Sequence, residues 1–295
     1  MCKMNFMKDV NQKRRTFLLG VGAQKAGTSW LHQQLQNRQD VDFGFLKEYH
    51  IHDAMHISRF ECFRTRRSQW KNPSNWVRIR TLRRQRFFSK PERYYDYFQW
   101  ILNRPRLNKR VLVTGDITPS YSALSSDVLS AINQEFSQRG IFVCPVFIMR
   151  DPIERIISSQ RMKLRKQNIR SDKEEIEALR ELAKKRPARV DIRSNYSQTL
   201  ESLDRAFGLE NCYIGIYETL FQKDSYEKLC LALNIPYQEP QWNKRVNVSA
   251  TNTVIPNDIL RELGNWQKPA YRAAEQTLNS VNLKELWPTA SQWCQ

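Results

Sequence analysis

The chain has 295 residues, of which 40% are apolar and 26% charged, and its mean hydropathy is −0.67. This is enough apolar material for a folded core, which argues against global disorder. The sequence has no run of 18 apolar residues and no signal-peptide-like start, so we expect a cytoplasmic protein without a membrane span. Six cysteines are scattered without zinc-finger or Cys-x-x-Cys spacing, so we expect neither a structural metal nor a disulfide framework.

The net charge of +18 indicates either a polyanionic ligand or partner or a tolerance for crowded positive charge, and it is unevenly distributed along the chain. Residues 64–93 hold eleven Lys or Arg and a single acid, Glu92, with aromatic residues interleaved. This basic segment suits an acidic polymer or a membrane surface, and a solvated insertion explains it equally well. Residues 161–193 hold twelve basic residues but also six acids. Their middle, 173–185, predicts an amphipathic surface helix with i,i+3 and i,i+4 ion pairs, ended by Pro187.

Near-continuous apolar runs alternate with helical patterns along the chain. Strands are predicted at Thr16–Gly22, Arg110–Gly115, Ile141–Met149 and Asn211–Tyr217. Helices are predicted at Trp30–Asn37, Asp127–Gln138, Ile153–Lys166, Tyr196–Phe207 and Ser225–Leu233. Apolar runs of this kind are typical of parallel strands buried on both faces. We therefore predict an α/β, three-layer, P-loop-like fold with a central parallel sheet flanked by helices. It would form one domain over 1–295, with a basic insertion at about 60–105 and a helical tail after about 255.

The first predicted strand leads into a loop with the composition of an anion-binding site. Residues 22–30 read Gly-Ala-Gln-Lys-Ala-Gly-Thr-Ser-Trp. The backbone N–H groups and dipole of a starting helix favour an anion, Gly27 permits close backbone approach, and Lys25 adds a full charge. Thr28 and Ser29 are expected to cap the helix and to donate to the ligand. The other interpretation is an ordinary strand–helix turn capped by Thr28.

The loop differs from a Walker A sequence, G-x-x-x-x-G-K-[ST], in the position of its lysine. Gly22 and Gly27 have the Walker spacing, but the lysine stands at position 25 and Thr28 occupies its usual place. This favours an anion shorter than a triphosphate.

The segment Gln24–Leu31 closely resembles the 5′-phosphosulfate loop of sulfotransferases, which use 3′-phosphoadenosine 5′-phosphosulfate (PAPS). The resemblance implies that the donor is bound by Lys25, Ala26, Gly27, Thr28, Ser29 and Trp30.

The family's second signature is a strand ending in Arg-Asp-Pro, followed by a helix with a serine eight residues after the arginine. The chain matches it with Arg150-Asp151-Pro152 and Ser158. By resemblance, Arg150 and Ser158 bind the 3′-phosphate of PAPS. An arginine at the carboxyl end of a strand is well placed for bidentate phosphate binding, and Pro152 suits the first turn of a helix. A local ion pair between Arg150 and Asp151 is the alternative.

A third segment, Lys47-Glu48-Tyr49-His50-Ile51-His52-Asp53, resembles the Lys-Glu-x-His-x-x-Asp segment of heparan-sulfate-type sulfotransferases. The resemblance implies that Glu48 is the general base, with His50 and Asp53 supporting it and Lys47 holding the sulfonate or the acceptor. A carboxylate is suited to take the proton of an attacking hydroxyl or amine. A mixed-charge surface loop is the alternative. No metal is expected, although three of the four histidines stand at 50, 52 and 56.

Two later segments are similar to the family in a weaker way. Residues 115–121 contain a Thr-Pro-x-Tyr sequence that borders the acceptor site in these enzymes. Residues 242–249 lie where the family has a basic loop that closes over the cofactor, which implies that Lys244 and Arg245 lie near its phosphates.

The sequence therefore predicts a PAPS-dependent sulfotransferase that acts on a hydroxyl or amine, with adenosine 3′,5′-bisphosphate as the product. The similarity to heparan-sulfate-type enzymes favours a saccharide or glycan acceptor, and a peptide tyrosine or a lipid-like alcohol stays open. Two alternatives come from other classes. A P-loop kinase or NTPase would use Asp116, after an apolar strand, as a Walker B residue. A basic nucleic-acid-binding protein would explain the charge, but no known binding motif is present and no nucleic-acid partner is expected.

Overall fold

The computed structural model describes residues 14–64, 75–107, 109–169, 171–244, 253–287 and 289. The strands are β1 Thr16–Gly22, β2 Pro105–Arg106, β3 Lys109–Arg110, β4 Val113–Ile117, β5 Phe142–Met149 and β6 Tyr213–Ile216. The first six helices are α1 Thr28–Gln36, α2 His52–His56, α3 Asn75–Ser89, α4 Glu92–Asn103, α5 Ser126–Gln138 and α6 Pro152–Lys166. The later helices are α7 Asp172–Lys185, α8 Ala188–Asp191, α9 Tyr196–Phe207, α10 Lys223–Ala232, α11 Asn257–Thr277 and α12 Leu283–Leu286.

Four strands form a parallel sheet in the order β4-β1-β5-β6. Strand β1 lies inside it, with Thr16 opposite Val113 of β4 on one side and Phe142 of β5 on the other. Every residue of β1 is buried, as its continuous apolar run requires. Helices flank the sheet, so the predicted α/β fold with a central parallel sheet is confirmed.

The predicted elements are present, with shifts at some boundaries. The predicted strand Arg110–Gly115 lies instead at Val113–Ile117, because Lys109–Arg110 pairs with Pro105–Arg106 in a separate two-stranded hairpin. Helix α9 has the predicted bounds. Helix α7 ends when Arg186 adopts a left-handed conformation, with φ of 40°, one residue before the predicted stop.

Helices α3 and α4, from the basic part of the sequence, pack with an aromatic face against the core. Phe87 and Phe88 of α3 and Tyr94 and Phe98 of α4 are buried. The Phe98 ring lies 4.9 Å from the ring of Phe17 in β1. The charges of this segment are therefore carried on a scaffold that contributes to the core.

The carboxyl ends of the four parallel strands meet at one edge of the sheet, which we call the carboxyl edge. Ligands of open α/β sheets bind in the crevice at this edge, next to the strand where the connections diverge. Strand β1 is that strand here, because its neighbours β4 and β5 lie on opposite sides. Among the described helices, none combines the length and the apolar character needed to cross a bilayer.

Candidate functional site

The loop after β1 opens the site with two residues in left-handed conformations. Lys25 has φ of 73° and Gly27 has φ of 78°. A Cβ atom on Gly27 would lie 2.5 Å from Cδ2 of Leu220, so both the backbone angle and the space favour glycine here. A lysine with positive φ is uncommon, and such residues cluster at ligand sites.

Gly27, and neither hydroxyl residue, is the N-cap of α1. Thr28 is the first helical residue, and no side chain among the described residues caps the helix. The expectation that Thr28 and Ser29 cap the helix is therefore wrong, because the chain turns into the helix one residue earlier. The first i→i−4 bond runs from the Leu31 N–H to the Gly27 carbonyl at 3.0 Å. The N–H groups of the first turn are left facing the loop, where an anion can accept from them.

The loop lysine lies in a strongly positive environment. Burial and, to a lesser extent, the charges of Arg165, Arg150, Lys166 and Lys47 together lower the pKa of Lys25 from 10.5 to about 8. Like charges raise one another's energy unless an anion compensates them. This cluster of five cations therefore favours an anionic ligand.

Arg150, at the end of β5, reaches the loop. Its Nη1 donates to the Lys25 carbonyl at 3.1 Å, and its guanidinium lies 4.6 Å from the centroid of the Tyr217 ring. Its Nε atom is buried and has no hydrogen-bond partner among the described residues. A buried donor without an acceptor is costly, and a phosphate oxygen would satisfy it. Ser158 lies two turns further along α6 and is half-buried.

Asp151 is not the partner of Arg150. Its carboxylate caps α6 by accepting from the N–H of Ile153 at 3.0 Å, and it also accepts from the Tyr271 hydroxyl at 2.6 Å. Arg150 instead contacts Glu154 at 3.5 Å. The local ion pair considered as an alternative is therefore absent from this turn, and the guanidinium stays directed at the loop.

A second group of residues lies beside β4. The Ile117 N–H donates to the Lys47 carbonyl at 3.0 Å, and the Tyr49 N–H donates to Asp116 at 3.2 Å. These bonds attach the chain around residues 47–50 to the end of β4. The residues that follow β1, β4 and β5 thus converge at the carboxyl edge.

Three of the predicted catalytic residues form a hydrogen-bonded chain. Nε2 of His50 lies 3.2 Å from Oε2 of Glu48, and Nδ1 of His50 lies 2.7 Å from Oδ2 of Asp53. Ser120 donates a further hydrogen bond to Asp53. Asp53 is fully buried, whereas 38% of the Glu48 side chain is exposed. Glu48 is therefore the member of the chain that a substrate can reach.

The chain of three residues has a defined charge distribution. Burial raises the pKa of Glu48, but hydrogen bonds from His50 and Lys47 and the charge of Lys47 outweigh it and hold the pKa at about 2. Burial lowers the pKa of His50, but Asp53 and Glu48 outweigh it and raise the pKa above 6.5. His50 itself has φ of 52°. Glu48 is thus ionised and His50 is held between two carboxylates.

Lys47 joins the two groups of residues. Its Nζ atom lies 3.0 Å from Oγ of Ser29, 3.5 Å from Oγ1 of Thr28 and 3.0 Å from Oε1 of Glu48. The helix start and the carboxylate are therefore connected through a single ammonium group. A group bound at the start of α1 would therefore contact Lys47, which also contacts Glu48.

Other histidines near this chain do not converge on it. The rings of His52 and His56 lie 6.3 Å apart, and burial lowers the pKa of His52 to about 3. Among the described residues, no three His, Cys, Asp or Glu side chains are grouped to hold a metal ion.

Asp116 has a structural role. Its buried carboxylate accepts hydrogen bonds from Tyr94 at 2.9 Å, Tyr121 at 2.8 Å and Thr118 at 2.6 Å, besides the Tyr49 N–H. The Thr-Pro-x-Tyr segment is thereby fixed beneath the His50 loop. A Walker B carboxylate must face a magnesium ion, and Asp116 faces three hydroxyl groups instead.

The late segment lies against the loop helix. The Trp242 ring stacks on Trp30 at 6.0 Å, and the Gln241 N–H donates to Gln34 at 2.8 Å. Trp30 is only 2% exposed. Lys244 is exposed two residues beyond Trp242. Arg245 lies outside the described residues.

Sequence reasoning missed cations that the fold brings to this site. Arg165 and Lys166, at the end of α6, contribute to the positive field at Lys25. Arg193 follows α8, and its Nη1 lies 3.5 Å from Oε1 of Gln24. Burial lowers the pKa of Arg193, while Asp53 and Glu48 act to raise it. Arg165 and Lys166 end an ordinary charged helix and Arg193 follows another, so their sequence context carries no signal for this placement.

No protein-family model matches the chain, and no curated protein matches it by sequence. Among solved structures it is similar to a sulfotransferase from Alicyclobacillus acidocaldarius, with 16% identity, a TM-score of 0.58, and coverage of 92% of this chain and 98% of that one. A sulfotransferase domain from the curacin biosynthetic pathway has 13% identity, a TM-score of 0.46, and coverage of 90% and 97%. At this identity, the first comparison establishes a shared fold.

Proposed function

We propose that this protein is a PAPS-dependent sulfotransferase that transfers a sulfuryl group to a hydroxyl or amine of a carbohydrate acceptor. The observation that carries the proposal is the position of Lys47, which contacts both the start of α1 and Glu48. Sulfuryl transfer needs an anion site and a base on either side of the reacting group, with a cation between them. In this proposal, residues 1–295 form one sulfotransferase domain.

The donor would bind across the carboxyl edge. The first-turn N–H groups of α1 and Lys25 suit the 5′-phosphosulfate, because both favour an anion there. Arg150, with a buried unsatisfied Nε, suits the 3′-phosphate together with Ser158. Lys244 and Arg245 are assigned to the closing loop by resemblance. The cation cluster around Lys25 supports this assignment independently of the sequence motif.

In the transfer step, the acceptor oxygen or nitrogen attacks sulfur, and a bond from sulfur to the acceptor forms. The bond from sulfur to the 5′-phosphate oxygen breaks, and adenosine 3′,5′-bisphosphate leaves with the electron pair. The acceptor proton passes to Glu48. Lys25 and Lys47 stabilise the negative charge on the sulfonate and on the leaving phosphate.

The low pKa of Glu48 gives Lys47 a second role. A carboxylate with a pKa of about 2 is a weak base. A bound sulfonate that drew Lys47 away from Glu48 would remove one of the contacts that lower this pKa, while the hydrogen bond from His50 would remain. In this proposal, binding of the donor thereby makes Glu48 a stronger base, and His50 keeps the carboxylate in position.

The carbohydrate part of the proposal rests on the similarity of residues 47–53 to heparan-sulfate-type enzymes. The kinase alternative is less well supported, because Asp116 is occupied by hydroxyl donors and the loop lysine stands at position 25.

Calorimetric titration at moderate salt tests the proposal by comparing the binding of adenosine 3′,5′-bisphosphate with that of ADP and of magnesium-ATP. We expect saturable binding of the bisphosphate, weakened about 10- to 100-fold in Arg150→Ala because charged hydrogen bonds are lost. Arg205→Ala is the matched control, since Arg205 pairs with Glu201 on an exposed helix face. A preference for magnesium-ATP would overturn the proposal in favour of a kinase.

A further inference from the structure

The outer face of α3 carries two exposed aliphatic side chains among arginines. Leu82, Arg83 and Arg86 lie three, four and seven residues after Ile79, which places these four side chains on one helix face, and Lys90 follows one residue beyond the end of the helix. All five are exposed, and Ile79 and Leu82 have relative exposures of 47% and 44%. We call this stripe the outer face of α3.

The opposite face of the helix is fixed to the body of the protein. Arg84 is buried and donates hydrogen bonds to the carbonyls of Tyr49, His50 and Phe63. Phe88 is buried beside it. Because the inner face is held by these contacts, the outer face is presented to the surroundings in a defined orientation.

The outer face also lacks neutralising charges. No ion pair involves Arg83, Arg86 or Lys90 among the described residues, although such pairs are present on α5, α7, α9 and α10. Arg80 and Arg93 are likewise exposed nearby. The charge of this surface therefore complements an anionic partner.

We propose that the outer face of α3 docks on the surface of an anionic lipid bilayer. A helix that lies in a membrane interface combines cations, which attract acidic headgroups, with aliphatic side chains that enter the boundary of the hydrocarbon. An acidic polysaccharide would engage the arginines, but it would gain nothing from Ile79 and Leu82. The interleaving of the two residue types on one face therefore favours the bilayer over the polymer.

Vesicle sedimentation tests this proposal with the full-length protein. One vesicle set contains phosphatidylcholine alone, and the other contains equimolar phosphatidylcholine and phosphatidylglycerol. We expect binding to the anionic vesicles only, weakened by added salt. The double variant Arg83→Gln/Arg86→Gln should bind about 30-fold more weakly, since each basic residue near an anionic surface contributes about a factor of five. Ile79→Ser/Leu82→Ser should bind about tenfold more weakly.

Two control variants change equivalent side chains elsewhere. Leu231→Ser removes an aliphatic residue that is 59% exposed on α10, and Lys184→Gln/Lys228→Gln removes two exposed charges. Both should bind vesicles like the wild type. Thermal unfolding verifies that every variant is folded. The arginine double variant and the aliphatic double variant test the charged and the apolar residues of the outer face separately.

Three results would overturn the proposal. The first is no binding to anionic vesicles. The second is vesicle binding that is unchanged in Ile79→Ser/Leu82→Ser, which would indicate electrostatic attraction without insertion. The third is tight binding to heparin that abolishes vesicle binding and depends on Arg83 and Arg86 alone, which would identify the surface as a polymer site. None of these measurements uses sulfuryl transfer, so their outcome is separate from that of the proposed activity.

Discussion

Nδ1 of His50 lies 2.7 Å from Oδ2 of Asp53, so a fully buried carboxylate holds the imidazole that contacts Glu48. The imidazole is further fixed by stacking on the Phe63 ring, 4.0 Å away. The hydrogen bond to Asp53 orients His50, as a buried carboxylate orients the histidine of a Ser-His-Asp triad. It also makes the protonated form of His50 a contributor to stability.

Asp53→Asn should reduce stability most at low pH. Burial lowers the pKa of His50, but Asp53 and Glu48 raise it above 6.5 in the folded protein. The stability that protonated His50 contributes is therefore fully present below pH 6.5 and is lost as pH rises through the raised pKa. The difference in unfolding free energy between wild type and Asp53→Asn should narrow as pH rises, as measured by urea unfolding. Asp96→Asn, at an exposed pair with Arg139, should show no such trend, and a difference independent of pH would contradict the prediction.

Glu48→Gln should lose transfer while it keeps the product site. Removal of a general base lowers turnover by about 10²- to 10⁴-fold, and the amide preserves the size of the side chain. Binding of adenosine 3′,5′-bisphosphate, measured by calorimetry, should stay close to the wild-type value. Glu177→Gln changes an exposed carboxylate of α7 and should leave turnover unaltered. Near wild-type turnover in Glu48→Gln would show that another group takes the proton.

Binding of the bisphosphate should take up protons near pH 8. Burial and the charges of Arg165, Arg150, Lys166 and Lys47 lower the pKa of Lys25 to about 8. At pH 8, Lys25 is therefore neutral in about half of the protein molecules. A bound phosphate favours the charged form, and affinity should fall as pH rises further.

Calorimetry at pH 8, in buffers with different ionisation enthalpies, measures this uptake. Lys25→Arg keeps the charge but stays protonated, so its uptake should disappear. If the variant took up as many protons as the wild type, the titrating group would be a different one.

Gly27→Ala should lower the free energy of unfolding by about 1–3 kcal/mol. The new Cβ would lie 2.5 Å from Leu220 at a φ of 78°. Gly140→Ala is a matched control, because Gly140 also has positive φ, but its nearest neighbour would lie 3.5 Å away. Thermal unfolding should show a larger loss for Gly27→Ala, and equal losses would mean that the loop yields without strain.

The sheet could be predicted from the sequence because its strands are continuous apolar runs. Strand β1 has the predicted bounds, since no polar residue interrupts it between Thr16 and Gly22. The strand predicted at Arg110–Gly115 was displaced, because composition does not distinguish a short hairpin from the start of a buried strand. Boundaries depend on hydrogen-bond partners distant in sequence, and a single sequence does not contain them.

The site residues that belong to local sequence motifs could be predicted from the sequence. The loop with Lys25 lies at the carboxyl edge because it follows β1, whereas the segment with Glu48 is held there by hydrogen bonds to the end of β4. The bridge formed by Lys47, and the approach of Arg165 and Arg193, depend on how helices pack over the sheet. Arg84 illustrates the same limit. Its neighbour Arg83 is exposed while Arg84 is buried against carbonyl groups, and no feature of the local composition separates them.

The hydrogen bonds of Arg84 determine how the basic segment can be engineered. Deleting α3 would leave the carbonyls of Tyr49 and His50 without their guanidinium donor, directly beside Glu48. Deleting α4 would remove the Tyr94 hydroxyl from Asp116. A shortened chain is therefore a poor minimal version of this protein, whereas rewriting the outward residues of α3 leaves every one of these bonds in place.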